Sequence, residues 1–345
     1  MNLLLNYELF LAKIITFIII SISTLTLFYT IIKRKKNTDS KIKITLLEDN
    51  YKNIKNKILL STMENFEKKI WFEKEKIKNK KNKKKILENK DQYLKNKKKK
   101  LYILDFKGGV YANEVMGLRE EISAVLSVAN KNDEVLLRLE SSGGVIHGYG
   151  LAASQLNRLR QRGIHLIVSV DKIAASGGYM MACVADYIVS APFAIIGSIG
   201  VVGQIPNFNK LLKKYNVDVE LHTAGDYKRT LTMFGHNTQS TRDKFCEELN
   251  MTHKLFKNFI KEMRPSLDIE SVSNGEHWFG TMALEKKLVD QISTSDDILM
   301  SKMGEYTLLN IQYIYKKKIL ERFTSSIVHN IRKILLKIFF HKNYL

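Results

Sequence analysis

The chain has 345 residues, 45% of them hydrophobic and 26% charged, and a formal net charge of +21. That length holds a membrane anchor plus one large or two small domains. Between Lys33 and Lys100 there are 25 Lys/Arg and 9 Asp/Glu, an excess of 16. The basic character therefore belongs to a Lys/Asn/Ile-rich linker, which argues against a nucleic-acid surface, where basic groups cluster on a folded face with aromatic or base-reading partners. Two cysteines, Cys183 and Cys246, make neither a disulfide framework nor a metal signature.

Residues 9–32 are apolar apart from Lys13, and 14–32 carry no charge. That is just long enough to cross about 30 Å of hydrocarbon as a helix. Lys33-Arg34-Lys35-Lys36 follow it, whereas a cleaved signal peptide puts its charges first. An uncleaved N-terminal transmembrane helix is expected over 1–32. The positive-inside rule then puts everything after Lys33 in the cytoplasm. A second apolar stretch, 180–205, carries Asp186, Pro192 and three glycines. It reads as buried core segments and not as a second span.

Residues 33–100 form a Lys-rich linker. Ile54, Ile58, Phe66, Ile70 and Ile77 recur at helical spacing, which predicts a helix within 46–77. The run 78–100 reads as a flexible tether. From Leu101 the texture alternates. LYILDF (101–106) is a strand, and 114–128 an amphipathic helix with Val115, Leu118, Ile122, Val125 and Leu126 on one face. Residues 134–140 are a strand, 148–162 a helix and HLIVSV (165–170) a strand. This rhythm predicts an α/β fold with a mostly parallel sheet and right-handed crossover helices. In such sheets, sites form outside the carboxyl ends of strands. Two small-residue loops fall there, Ser141-Ser142-Gly143-Gly144 and Ala174 to Gly178.

Ser176 stands on the second loop, between a strand and an apolar run that can form a buried helix. A serine so placed has room for a substrate carbonyl. The backbone N–H of Gly177 points into the same space at the start of the helix. Gly143 or Gly144 can supply a second oxyanion donor, or can be a plain turn. A phosphate-binding reading is weak: no Lys-Ser/Thr follows Gly144 and there is no GxGxxG. No metal or cofactor is expected. The base for Ser176 could be His147, His222, His165, His236, His253 or His277, or a lysine such as Lys228 in AGDYKRT (224–230), after an expected VELHT strand. A lysine serves only when neutral. Ser198, in GSIGV (197–201), can orient an amine or be an ordinary turn residue.

Several segments resemble, in order, the signal peptide peptidase A family (peptidase family S49) of Ser/Lys membrane proteases. They are LDFKG (104–108), ESSGG…HGYGLAASQL (140–156), VDKIAASGGYMMACVAD (170–186), GSIGVVGQIPNFNKLLKKY (197–215), HTAGDYKRTLTMFG (222–235) and GEHWFG…ALEKKLVD (275–290). The resemblance covers about 101–303 and is nearest to the inner-membrane members of the family. It implies Ser176 as nucleophile, Lys228 as general base and proton donor, and Ser198 as the residue positioning that lysine. It also implies an oxyanion hole from Gly177, Gly143 and Gly144, a Clp-protease/crotonase-like fold, and a periplasmic catalytic domain, against the positive-inside reading. Assembly into a ring or dome is implied too, with neighbouring protomers completing each site. Peptide or membrane-protein substrates follow, with membrane lipid around the anchor. One departure is Ser142, where the family loop usually has proline; the loop loses a fixed φ. That departure motivates the alternative of a catalytically inactive membrane scaffold. Acyl-CoA chemistry on the same fold is disfavoured by the Ser/Lys pair. Residues 304–345 read as a basic amphipathic tail, with Ile319, Phe323, Ile327, Ile331, Ile334, Leu335 and Ile338 able to share a helix face that could lie on an anionic membrane or on a partner subunit.

Overall fold

The structure, a computed structural model, describes residues 41–88 and 98–315, together with six isolated positions between 14 and 24. The expected anchor over 1–32 and the expected tail beyond Tyr315 lie outside the described residues, those six positions aside. Among the described residues, no helix is long and apolar enough to cross a membrane.

In chain order the elements are β1 (Ile42–Leu46), α1 (Leu47–Thr62), α2 (Asn65–Glu88), β2 (Lys99–Gly108), α3 (Val115–Val128), β3 (Glu134–Ser141), α4 (Ile146–Gln161), β4 (His165–Val170), β5 (Ile173–Ala175), α5 (Gly177–Ala182), β6 (Tyr187–Ser190), β7 (Ile195–Gly197), α6 (Asn209–Lys214), α7 (Gln239–Met263), α8 (Ile269–Val272), β8 (His277–Phe279), α9 (Gly280–Glu285), β9 (Gln291–Ile292), α10 (Ser295–Lys302) and β10 (Tyr306–Tyr313). The fold is mixed α/β with a parallel-rich sheet. Its main path runs β1-β10-β2-β3-β4-β6-β9, parallel throughout except where β1 meets β10.

The central strands β2, β3, β4 and β6 are buried on both faces, which is why they read as near-continuous apolar runs. Leu104, Phe106, Leu137, Leu139, Val168 and Val170 pack into one core with the α3 stripe of Val115, Leu118, Ile122 and Val125. Leu101, Ile103, Leu136, Ile167, Val189 and Leu308 pack with Leu299 of α10 into another. Thr294 starts α10 with a reciprocal capping box to Asp297.

β3 forks, and the fork places the site. Glu134 to Arg138 pair with β4, while the last residue, Ser141, pairs with Ala174 of β5. From β5 a branch continues through β7 to the antiparallel β8. The chain bends at Asp171, whose carboxylate accepts from the backbone N–H and the hydroxyl of Ser295 at 2.8 and 2.5 Å.

Several expectations need correcting. Strand β1 precedes two helices where a single helix was expected within 46–77. Helix α2 extends to Glu88 into the expected tether, because lysine is a good helix former. Strand β10 occupies 306–313, so residues expected to lead into a C-terminal helix instead sit between β1 and β2 in the sheet. β1 and β10 together carry this sheet beyond the expected 101–303 in both directions. Residues 219–223, the expected VELHT strand, are irregular, since no neighbouring strand pairs with them. The 180–205 stretch is divided among α5, β6, β7 and loops, in line with its reading as core.

Candidate active site

Ser176 joins β5 to α5 with φ 52° and ψ −119°. This is the conformation of the first central position of a type II′ turn, normally a glycine site. A non-glycine residue there costs on the order of 1–3 kcal/mol and persists only where its surroundings hold it. Here its N–H donates to Gly197 O of β7 at 2.8 Å, and its carbonyl accepts from Met180 N at 3.0 Å. The side chain is thereby turned out at a strand-to-helix corner, the elbow used to expose a nucleophile.

Facing it is the loop after β3. Gly143 has φ +87°, and a Cβ there would lie 2.7 Å from Gly177 N and 2.8 Å from Ser176 Cβ. Val145 N donates to Val110 O at 2.8 Å, and a Cβ on Gly144 would overlap that same carbonyl. Both positions therefore require glycine. The Gly143 N–H is already committed: it donates to Ser141 Oγ at 3.1 Å. The N–H groups of Gly144 and Gly177 have no hydrogen-bond partner among the described residues. Of the three glycines expected as oxyanion donors, Gly144 and Gly177 thus keep a free donor and Gly143 does not.

Ser176, Gly143, Gly144, Gly177 and Ser198 line one cleft of about 580 Å³, whose apolar wall includes Val145, Ile146, Met180, Val201, Val202 and Phe256. Ser198 has φ 50°. Its N–H donates to Glu276 O at 2.6 Å and its hydroxyl to Gly275 O at 3.2 Å. With the proton so used, the Ser198 oxygen can only accept from a further group.

Lys228 does not line the cleft. It is exposed, on the segment 202–237, in which only Gly235 is buried. Asn207 closes the base of this arm through Thr232 O and Gly235 O at 2.9 and 3.1 Å, beside the stacked rings of Phe208 and Phe234. The Lys228 Nζ has no hydrogen bond or ion pair among the described residues. Beyond the closed base, Tyr215, Val217, Val219, Leu221 and Tyr227 are all exposed.

None of the six candidate histidines lines the cleft. His222 meets Glu220 at 3.2 Å on the arm, His165 lies 3.6 Å from Asp186, and His253 Nε2 lies 3.3 Å from Ile199 O. Among the described residues, no group of His, Cys, Asp or Glu could hold a metal ion.

The sequence reading passed over Tyr149 and took Ser141 only as a loop residue. Tyr149, buried in α4, donates to Gly109 O at 2.7 Å and shares a 2.5 Å hydrogen bond with Ser141 Oγ. Burial pushes the Tyr149 phenol above its ordinary range. The available signal was a tyrosine at an inward position one turn into a helix, with a buried serine at the preceding strand end.

A family model described as Peptidase family S49 N-terminal matches residues 2–156, and one described as Peptidase family S49 matches 158–308. A relative from Buchnera aphidicola subsp. Acyrthosiphon pisum (strain APS), named Probable protease SohB, is 84% identical over 345 residues, 100% of both chains. A relative of the same name from Buchnera aphidicola subsp. Schizaphis graminum (strain Sg) is 70% identical over 346 residues, again 100% of both. A third of that name, from Haemophilus influenzae, is 60% identical over 223 residues, 65% of this chain and 63% of the relative. With two domain models adjoining along the chain and relatives matching it from end to end, the chain belongs to peptidase family S49 and is a protease.

Proposed function

We propose that the chain is a membrane-anchored serine endopeptidase in which Ser176 attacks the peptide carbonyl and Lys228, brought by a neighbouring protomer, takes its proton. The observation that carries this reading is the strained turn of Ser176 over a cleft where two N–H groups, of Gly144 and Gly177, stand uncommitted. Attack on a peptide carbonyl there develops negative charge on oxygen between fixed donors. The lysine then protonates the leaving amine, and water cleaves the acyl-enzyme by the same route in reverse.

The base comes from outside this chain's own cleft because Lys228 stands exposed on the arm. The arm's uncovered apolar residues favour a second copy as its resting place. A lysine acts as a base only when neutral, and withdrawal from water favours that form. Docking beside the apolar wall of the cleft supplies the withdrawal, and the Ser198 oxygen accepts one N–H of the amine and aims it. Substrates bind as extended peptides with apolar side chains against Met180 and Phe256. The forked parallel sheet supports a Clp-protease/crotonase-like architecture. The apolar 14–32 segment followed by four basic residues supports an inner-membrane anchor.

The exposure of Lys228 also favours a second reading, a membrane scaffold without turnover. Labelling of the detergent-solubilised full chain with a fluorophosphonate separates the two. The protease reading expects covalent labelling lost in Ser176→Ala; an oligomeric chain that never labels at Ser176 is a scaffold.

A further inference from the structure

Gly143 is held at φ +87° beside Ser142, an exposed residue with no ring to fix its own φ. Past Gly144 the loop is pinned by Val145 N–H, which donates to Val110 O at 2.8 Å; before it, at Gly143, the backbone N–H goes to a side chain, Ser141 Oγ. Tyr149 is fully buried directly beneath this loop. A phenol has one proton, and that of Tyr149 goes to Gly109 O at 2.7 Å. The 2.5 Å contact with Ser141 must then be donated by Ser141, whose other acceptor, Gly108 O, is farther away at 3.4 Å. The Ser141 oxygen in turn accepts Gly143 N–H at 3.1 Å. The chain of hydrogen bonds has a single direction, Gly143 to Ser141 to Tyr149 to Gly109, and each hydroxyl in it donates once.

The same side chain meets the other half of the site. A Cβ on Gly177 would stand 2.5 Å from Tyr149 Cγ and 2.7 Å from Cδ2. The ring thus fills the space under the Gly177 amide while the hydroxyl tethers the loop that ends in the Gly144 amide.

We infer that Tyr149, acting through Ser141, is a positioning residue that sets the separation of the two oxyanion donors. This rests on Ser176 being the nucleophile. Tyr149 touches neither substrate nor reacting atoms. Its hydroxyl serves the transition state, where donor spacing matters, more than the bound ground state.

The test uses the full chain in detergent micelles, with fluorescein-labelled casein as substrate and a fluorophosphonate as probe. Tyr149→Phe keeps the ring under Gly177 and removes the tether. It is expected to lower kcat about 10- to 100-fold, the scale of a misplaced oxyanion donor, with KM within about twofold and phosphonylation of Ser176 slowed in parallel. Ser141→Ala is expected to do the same, and the double variant to lose no more than the worse single one, because both break one chain. Unchanged kcat and labelling in Tyr149→Phe, or losses that multiply in the double variant, overturn the inference. Should Tyr149→Phe fail to fold, Ser141→Ala decides on the same readouts. The underlying reading fails separately: casein cleavage that survives Ser176→Ala removes the nucleophile. A dead Ser176→Ala beside a fully active Tyr149→Phe removes only the tether.

Discussion

Gly143 lies against Ser176 so closely that a single methyl group on residue 143 would stand 2.8 Å from Ser176 Cβ. The loop after β3 and the Ser176 turn are thus fitted against each other with no room for a side chain at residue 143. Gly143→Ala meets that clash and, at φ +87°, a conformation alanine avoids. Its kcat on casein is expected to fall at least about 100-fold, a loss typical of a displaced oxyanion donor, while far-UV circular dichroism stays native. Wild-type turnover in Gly143→Ala would mean that the loop moves freely away from Ser176.

Complementation tests the proposed source of the base. Ser176→Ala and Lys228→Ala chains, each inactive alone, are expected to regain activity when mixed and reassembled, because some interfaces then pair an intact serine with an intact lysine from the other chain. About a quarter of wild-type activity is the statistical expectation for one intact site among equal mixtures. A mixture as silent as its components places the two groups in one chain or removes Lys228 from the reaction.

Stability should depend on pH through Glu121. This carboxyl is 5% exposed. Oε1 accepts from Tyr313 N at 2.6 Å, and Oε2 is buried with no partner. Burial, with Asp105 adding repulsion, raises it to about 7 against the Tyr313 hydrogen bond, which lowers it. The folded chain therefore holds this proton more tightly than the unfolded chain does. The contribution is complete below the unfolded value near 4.5 and is lost as pH rises through about 7. Its size is on the order of 3 kcal/mol. The urea midpoint is expected to fall between pH 5 and pH 8, and Glu121→Gln to flatten that fall. An unaltered pH profile in Glu121→Gln would assign the dependence to other groups.

Arg264 ends α7 with its two terminal guanidinium nitrogens, Nη1 and Nη2, on Asp290 at 3.0 and 2.6 Å, and a further bond from Nη2 to Lys287 O at 3.1 Å. Asp290 also accepts from Ile188 N at 2.7 Å, so the pair ties α7 and the turn after α9 to β6. Removing one partner of such a pair leaves the other charge uncompensated and costs about 3–5 kcal/mol. Arg264→Ala should lower the urea midpoint accordingly, and Arg264→Lys should recover little, since an ammonium cannot make the forked contact. The folded fraction should still react with a fluorophosphonate at the wild-type rate.

Much of this was legible in the residues. HLIVSV is β4 at its expected bounds, and the α3 stripe is buried at Val115, Leu118, Ile122 and Val125. The Ser176 turn and the Gly143-Gly144 loop meet as the βαβ rhythm implied, because strand ends on one side of a parallel sheet must converge. What failed was long-range. Ile42 pairs with Tyr313, and nothing local in a lysine-rich stretch announces a partner so far along the chain. VELHT has the composition of a strand, but without a neighbour to accept its hydrogen bonds it stays irregular. Lys228 could be chosen as a residue type from its motif, yet where it stands relative to the cleft is a matter of tertiary structure. The Ser141–Tyr149 pair was only half legible: an inward tyrosine at the start of a helix marks burial, but not which group its hydroxyl reaches.

If Ser176 is the nucleophile as proposed, then with Lys228 held out in solvent on its arm a solitary copy has, among the described residues lining its cleft, no base to accept the proton. Under the proposed arrangement a newly made chain is harmless until it meets a sibling. No propeptide or inhibitor is then needed to restrain it, and the onset of digestion follows how densely the copies are packed in the bilayer.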